Sequence, residues 1–275
     1  MTPMKKVLTF TLTWGIVLFA FAQNDPLTQT HGARMIALGN MRVHLPDTWS
    51  YFNNIGALDR ASYTGIVAGY DHRYNLKELS TFSLAGSFRN TWGTFGAGIS
   101  RFGGPLLNQQ SLGVGYSNTL GISSFGIKLE WAQTQIEGFG SAGGLVVSIG
   151  GVTELSPSLF LGAHISNINR GKISPESESR LPTSVQLGLH YLPSESVSLL
   201  LEFEKDILQD PIVKAGIEYR LKEWVILRTG VNSQPAKIFA GFGIQKESYG
   251  FDYSYGNQSA LGNTHHLSLF YQWND

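Results

Sequence analysis

The residues able to do chemistry in this 275-residue chain are seven histidines, scattered serines and a set of charges in its second half. The histidines are His31, His44, His72, His164, His190, His265 and His266. None is spaced His-x-x-x-His, the pair that turns two imidazoles to one side of a helix for zinc. His265 and His266 are adjacent, so on a strand they point to opposite faces. The chain has no Cys, which removes thiolate ligands, cysteine nucleophiles and disulfides together. A G-x-S-x-G elbow is absent, as is a phosphate loop ending in Gly-Lys-Ser/Thr. No cluster of Ser and His favours hydrolysis. The expectation is a protein with no metal, no cofactor and no enzymatic activity. One constellation remains: Glu202, Glu204, Lys214, Glu218, Arg220, Arg228 and Asp252 share one side of neighbouring alternating segments. Charges gathered on a confined face must be paired. They form either a mutually neutralising network or a polar track for a solute.

The elements that would position these charges have a period of two. From Thr64 onward apolar and polar or small residues alternate, the pattern of strands with one apolar face. Val185, Leu187, Leu189 and Tyr191 oppose Gln186, Gly188 and His190; Val213, Ala215, Ile217 and Tyr219 oppose Lys214, Gly216, Glu218 and Arg220. Fourteen such segments follow one another, each about 8 to 10 residues, enough to cross a bilayer when tilted. Tight turns are expected at Leu192-Pro193-Ser194, Leu221-Lys222 and Lys246-Glu247. Longer loops are expected at Phe102–Gln109, Gln133–Gly143, Asn167–Thr183, Lys205–Pro211 and Gly256–Asn263. Short turns on one side and long loops on the other mark an antiparallel transmembrane β-barrel. A β-sandwich of fourteen strands would expose edges that need blunting. The last segment places Leu267, Leu269, Tyr271 and Trp273 on one face. It resembles the aromatic-ended final strand that the barrel assembly machinery reads in bacterial outer membranes.

Composition agrees. Charged residues are 15%, against about 25% in a soluble domain, and Gly is 32 of 275. The formal net charge is zero, so nothing points to nucleic acid. Lys5 and Lys6, an apolar run from Val7 to Phe21 and the small residues of Ala20-Phe21-Ala22 predict a signal peptide over 1–22. The expected home is the bacterial outer membrane, with the apolar faces on lipid. Gly96, Gly98, Gly113, Gly115, Gly126, Gly162, Gly188, Gly216, Gly241 and Gly243 then mostly point inward and leave room inside. Inward Phe160, Leu200, Trp224, Ile226, Phe239 and Phe270 line a pocket or pack against what fills that room.

The filler is residues 23–62, which lack strand periodicity and are too apolar for a solvated tail. Asp47 is placed to cap a short helix through Phe52. This segment is expected to fold back as a plug, with Arg34, Asp47 and Asn54 meeting the inward charges; the barrel proper is 63–275. Here "GARMIALGNMRV", then Asp47, then "YFNNIGAL" resembles the amino-terminal region of FadL-like outer-membrane barrels, closest to the PorV/PorQ-type barrels of the type IX secretion system. Gly32, Ala33, Arg34, Leu38, Gly39 and Asn40 match the first part, and Asp47, Phe52, Asn54 and Leu58 the rest. Ile55 and Gly56 stand where that family has Pro-Ala. The resemblance implies fourteen strands and a plug. It also implies an accessory role in secretion, with secretion components as partners, or passive passage of hydrophobic solutes; a barrel enzyme with a Ser-His or Asp-His pair at its rim is the remote alternative that the fold permits.

Overall fold

The structure, a computed structural model, describes residues 29–171, 181–207 and 209–273. The expected signal peptide, most of the charged loop "NRGKISPESESRLP" and the last two residues lie outside them. Fourteen antiparallel strands form one closed barrel, each paired with its neighbours in sequence. The first seven are β1 (Thr64–Arg73), β2 (Leu76–Asn90), β3 (Gly93–Gly103), β4 (Leu107–Leu120), β5 (Ser123–Ile136), β6 (Gly140–Ser156) and β7 (Leu159–Ser166). The rest are β8 (Ser184–Ser194), β9 (Val197–Asp206), β10 (Ile212–Lys222), β11 (Val225–Ser233), β12 (Ala236–Lys246), β13 (Tyr249–Gln258) and β14 (Gly262–Trp273). β14 closes on β1, from Thr64 opposite Trp273 to Arg73 opposite Thr264. Closure matters because lipid offers no hydrogen bonds to a free strand edge.

The period-two pattern decides which side chains meet lipid. Ile66, Tyr70, Leu187, Ile217, Phe242, Leu269 and Tyr271 are exposed on the outer face, while Val67, Gln186, Glu218 and Ser268 are buried inside. This is a bacterial outer-membrane β-barrel. The loops differ from expectation. In the loops expected at 102–109, 133–143 and 256–263 most of the residues extend the strands, because cross-strand pairing continues past the apolar belt to positions such as Gly103↔Asn108 and Ile136↔Gly140. The connections after β3 and β5 shrink to three residues, and only the one from 167 to 183 stays long. The expected tight turns also shift by one to three residues, to Glu195-Ser196, Glu223-Trp224 and Glu247-Ser248.

β6 is 17 residues long and β7 only eight. β7 pairs with β6 only from Ile149 onward. Above that point the chain after β7 caps the β6 edge without forming a strand. Ile168 N donates to Val147 O at 2.8 Å. The Asn169 amide accepts from Val147 N (2.9 Å) and donates to Leu145 O (2.7 Å). A side-chain amide thus stands in for a peptide group.

The lipid-facing parity is testable. An arginine near the bilayer midplane costs about 2–4 kcal/mol on a barrel's lipid face and much less inside. Leu269→Arg should sharply reduce the folded band on unheated gels of outer membranes. Gln272→Arg, which points into a luminal cavity, should keep it near the wild-type level. Equal loss at both positions would overturn the assignment of faces.

Candidate functional site

The interior of the barrel is occupied by residues 29–62. The segment holds α1 (Ala33–Ala37), α2 (Ser50–Asn53) and a 3-10 helix (Ile55–Arg60). It crosses the lumen from rim to rim. Gln29 Nε2 donates to Thr81 Oγ1 (3.0 Å) near the loop-bearing rim. Arg60 Nε donates to Ser124 Oγ (2.9 Å) at the rim where β1 begins and β14 ends, the terminal rim. α2 starts at Trp49 with no side-chain cap, so Asp47 does not cap it as expected.

Two apolar clusters anchor the segment to different walls. Trp49, Tyr51, Phe52, Ile55 and Leu58 pack with Val67 and Ala85, with Phe270 at the margin. Met35, Leu38, Met41 and Leu45 pack with Leu200. Each fully buried large side chain contributes roughly 1.5–3 kcal/mol. The inward glycines make the contact possible. A Cβ on Gly56 would lie 2.3 Å from Gly150 O, and one on Gly230 would lie 2.1 Å from Gly39 N. Gly39 itself has φ +89°, a conformation that L side chains rarely adopt. Asn54 builds the turn into the 3-10 helix as its N-cap. Its Oδ1 accepts from Gly56 N (3.1 Å), and its Nδ2 donates to Val43 O (2.9 Å) and Gly151 O (3.3 Å).

The inward charges separate into two groups. In the first, the Glu218 carboxylate accepts from Arg34 Nε (2.9 Å) and Nη2 (2.8 Å) and from Arg228 Nε (2.6 Å). Arg228 Nη1 also donates to Asp252 Oδ1 at 2.5 Å, and Arg34 lies 3.5 Å from Asp47. In the second, Lys214 Nζ donates to Glu202 (2.9 Å), Glu204 (2.5 Å) and the carbonyl of Asn40 (2.7 Å). Glu202 Oε2 accepts from the backbone N–H groups of Arg42 (2.7 Å) and Val43 (3.1 Å). Each group joins the luminal segment to strands. Arg220 belongs to neither. It lies exposed at the terminal end of β10, beside an inner cavity, and forms no ion pair among the described residues. Trp224, expected inside, sits half-exposed in the β10–β11 turn.

Several buried polar groups were not legible from the sequence. Lys128 and Glu130 pair at 3.0 Å, with the ammonium 5.4 Å from the Tyr51 ring centroid. His266 Nδ1 and Asp71 Oδ1 meet at 2.8 Å across the β1–β14 seam. Lys128 and Glu130 are neighbours on the inward face of β5, whereas Asp71 and His266 lie far apart in sequence and only strand register brings them together. Within the segment, burial pushes the His31 imidazole down to about 3 and that of His44 to about 4, so both are neutral near pH 7. Burial pushes the Asp47 carboxyl up to about 6 against the pull of Arg34.

Two cavities meet at the β12–β13–β14–β1 wall. The inner one, about 270 Å³, lies at the terminal rim between the two halves of the segment. It is lined by the charged Arg34, Asp47, Arg228 and Asp252 together with the apolar Trp49, Val67, Ile226 and Phe270. The outer one is an apolar cleft of about 510 Å³ on the lipid face, lined by Ile66, Leu84, Phe251 and Leu269 among others. Val67, Ile244 and Phe270 border both. Between them Gly250 has no side chain, and the Phe270 ring fills its place, with Cζ 1.9 Å from where a Cβ would stand.

Removing one member of a buried ion pair costs about 3–5 kcal/mol by stranding its partner. Glu218→Gln takes the shared carboxylate from both arginines, leaving Arg34 only Asp47 at 3.5 Å and Arg228 only Asp252. It should lower the temperature at which the barrel unfolds on semi-native gels by several degrees. Arg220→Gln should leave that temperature unchanged.

No protein-family model matches the sequence, and no curated protein matches it either. Solved structures do resemble it. The toluene transporter TbuX of Ralstonia pickettii superposes with a TM-score of 0.68 at 10% identity, covering 90% of this chain and 99% of that one. The toluene transporter TodX of Pseudomonas putida gives 0.66 at 12% identity, covering 88% and 96%. A FadL homologue of Pseudomonas aeruginosa gives 0.57 at 14%, covering 90% and 98%. At these identities the likeness is one of fold: the chain is a FadL-like barrel in architecture.

Proposed function

We propose that this barrel is a passive channel for small hydrophobic molecules, with residues 23–62 as its plug. The observation that carries the reading is the pair of back-to-back cavities. An apolar solute gathers from the lipid phase in the outer cleft over Gly250 and Phe270. A space of about 150 Å³ already accepts a benzene-sized ring, so the inner cavity of about 270 Å³ is large enough for one. Val67, Ile244 and Phe270 form the partition between them. The fold shared with two toluene transporters supports the same reading. The ion pairs of Arg34, Glu218, Arg228 and Asp252 hold the plug, and their mutual neutralisation makes a polar solute track the weaker reading. The charge groups therefore serve as anchors, not as a selectivity filter.

The secretion role, expected first from the amino-terminal motif, rests on that motif alone. The matched residues Arg34, Gly39, Asp47 and Asn54 have structural tasks inside this barrel. A secretion partner would reveal itself by co-purification from native membranes.

The channel is tested by the initial uptake of radiolabelled toluene in cells lacking other monoaromatic channels. The wild-type protein should raise the rate severalfold over empty cells. Phe270→Ala should raise it further, and Val67→Trp, which fills the partition, should lower it. A rate equal to that of empty cells for all three would overturn the proposal. The plug is tested separately: deleting 23–62 behind an intact leader should give larger single-channel conductance in planar bilayers, and an unchanged conductance would refute occlusion.

A further inference from the structure

The two rims are not equally wetted around their circumference. Six two-residue turns line the terminal rim. The first three, Thr91-Trp92, Gly121-Ile122 and Pro157-Ser158, carry no charge; the next three, Glu195-Ser196, Glu223-Trp224 and Glu247-Ser248, carry one glutamate each. Trp92 is 75% and Ile122 64% exposed. The charges near the uncharged turns are turned into the lumen. Arg89 donates to Ala61 O (3.0 Å), Asp59 accepts from Thr94 Oγ1 (2.7 Å), and Arg60 reaches Ser124 and Glu154. The outer lip is left without charge, and its exposed residues Phe88, Trp92, Leu120 and Ile122 carry the apolar surface on from the lipid-facing belt.

The belt itself is displaced the same way. On the outer face of β5, apolar residues run from Phe125 to Trp131, and Gln133 and Gln135 follow towards the loop-bearing rim. On β12, halfway round the barrel, the order is reversed. Apolar residues run from Ile238, near the loop-bearing end, to Ile244, and Lys246 closes the terminal end. Glutamates and lysines resist immersion, whereas Trp favours the headgroup region.

We propose that the barrel sits tilted in the membrane, with the β2–β3 and β4–β5 turns sunk into the adjacent leaflet and the β8–β13 turns held in water. The occupant of the apolar lip is lipid: the lip extends the face that already contacts lipid, and its outward amides, Asn90 and Asn118, are bonded to the backbone of Trp92. A stripe of acidic turns on the far side fixes the direction of tilt.

The chain lacks Cys, so single cysteines report without background. Trp92→Cys, Ile122→Cys, Ser196→Cys and Ser248→Cys are labelled with an environment-sensitive dye and reconstituted in phosphatidylcholine vesicles; two sites per half keep the test alive if one variant fails to fold. Brominated lipid should quench the labels at 92 and 122 severalfold more than those at 196 and 248, and aqueous iodide the reverse. Equal iodide quenching at all four would overturn the proposal. So would labels at 92 and 122 that are shielded from iodide yet untouched by brominated lipid, since the lip would then be covered by a second copy of the chain.

Discussion

A luminal backbone can lie directly against the wall where the wall residue carries no side chain, and the interior of this barrel is organised around that constraint. Gly56 lies against Gly150 and Gly151, and Gly39 against Gly230. Around these contacts the luminal segment lies so near the wall that its residues from His31 to Leu58 are almost all buried. The cost of gathering Arg34, Glu218, Arg228, Lys214 and Glu202 in such a space is met by pairing them. Breaking a pair leaves a buried charge without compensation. Glycine contact and charge pairing are thus complementary: one sets the distance, the other demands that the distance be used.

Much of this architecture can be read from the sequence, for a physical reason. A wall one residue thick, with lipid outside and a filled lumen inside, imposes strict alternation. The strands reveal themselves through pairs such as Leu187/Gly188 and Ile217/Glu218. The inward glycines point to a filled lumen in the same way, since an apolar segment with no strand period has to be housed somewhere. Strand ends are less legible. Beyond the belt, Gln133, Gln135 and Asn108 look like loop residues, yet they remain paired because backbone hydrogen bonding is indifferent to side-chain polarity. Parity also misleads at the rims. Arg220 shares the inward phase of Glu218, but two residues nearer the edge that phase leads to water.

The charge groups expose a second limit. Alternation places Glu202, Glu204, Lys214, Glu218, Arg228 and Asp252 on the same face and cannot divide them. The division into one group around Glu218 and another around Lys214 follows from the path of the luminal segment, which brings Arg34 to the first and the Asn40 carbonyl to the second. The seam between cavities was hidden for the same reason. Gly250 and Phe270 are 20 residues apart, and their relation exists only in the register of β13 with β14.

The position of the luminal segment in the chain, ahead of β1, has a consequence for the order of events in folding. Every neighbouring pair from β1–β2 to β13–β14 is joined by a local connection, and all but one of these connections are short. The β1–β14 seam joins residues about two hundred positions apart, such as Asp71 and His266. Long-range pairings of this kind form late because their entropic cost must be met in advance. A segment tethered to β1 would have to thread a narrow, charged lumen if the cylinder were already shut. The path that avoids threading collapses residues 29–62 onto the open, curved sheet first. The sheet then wraps around its own contents, and the seam shuts over a guest that has become the template for its diameter.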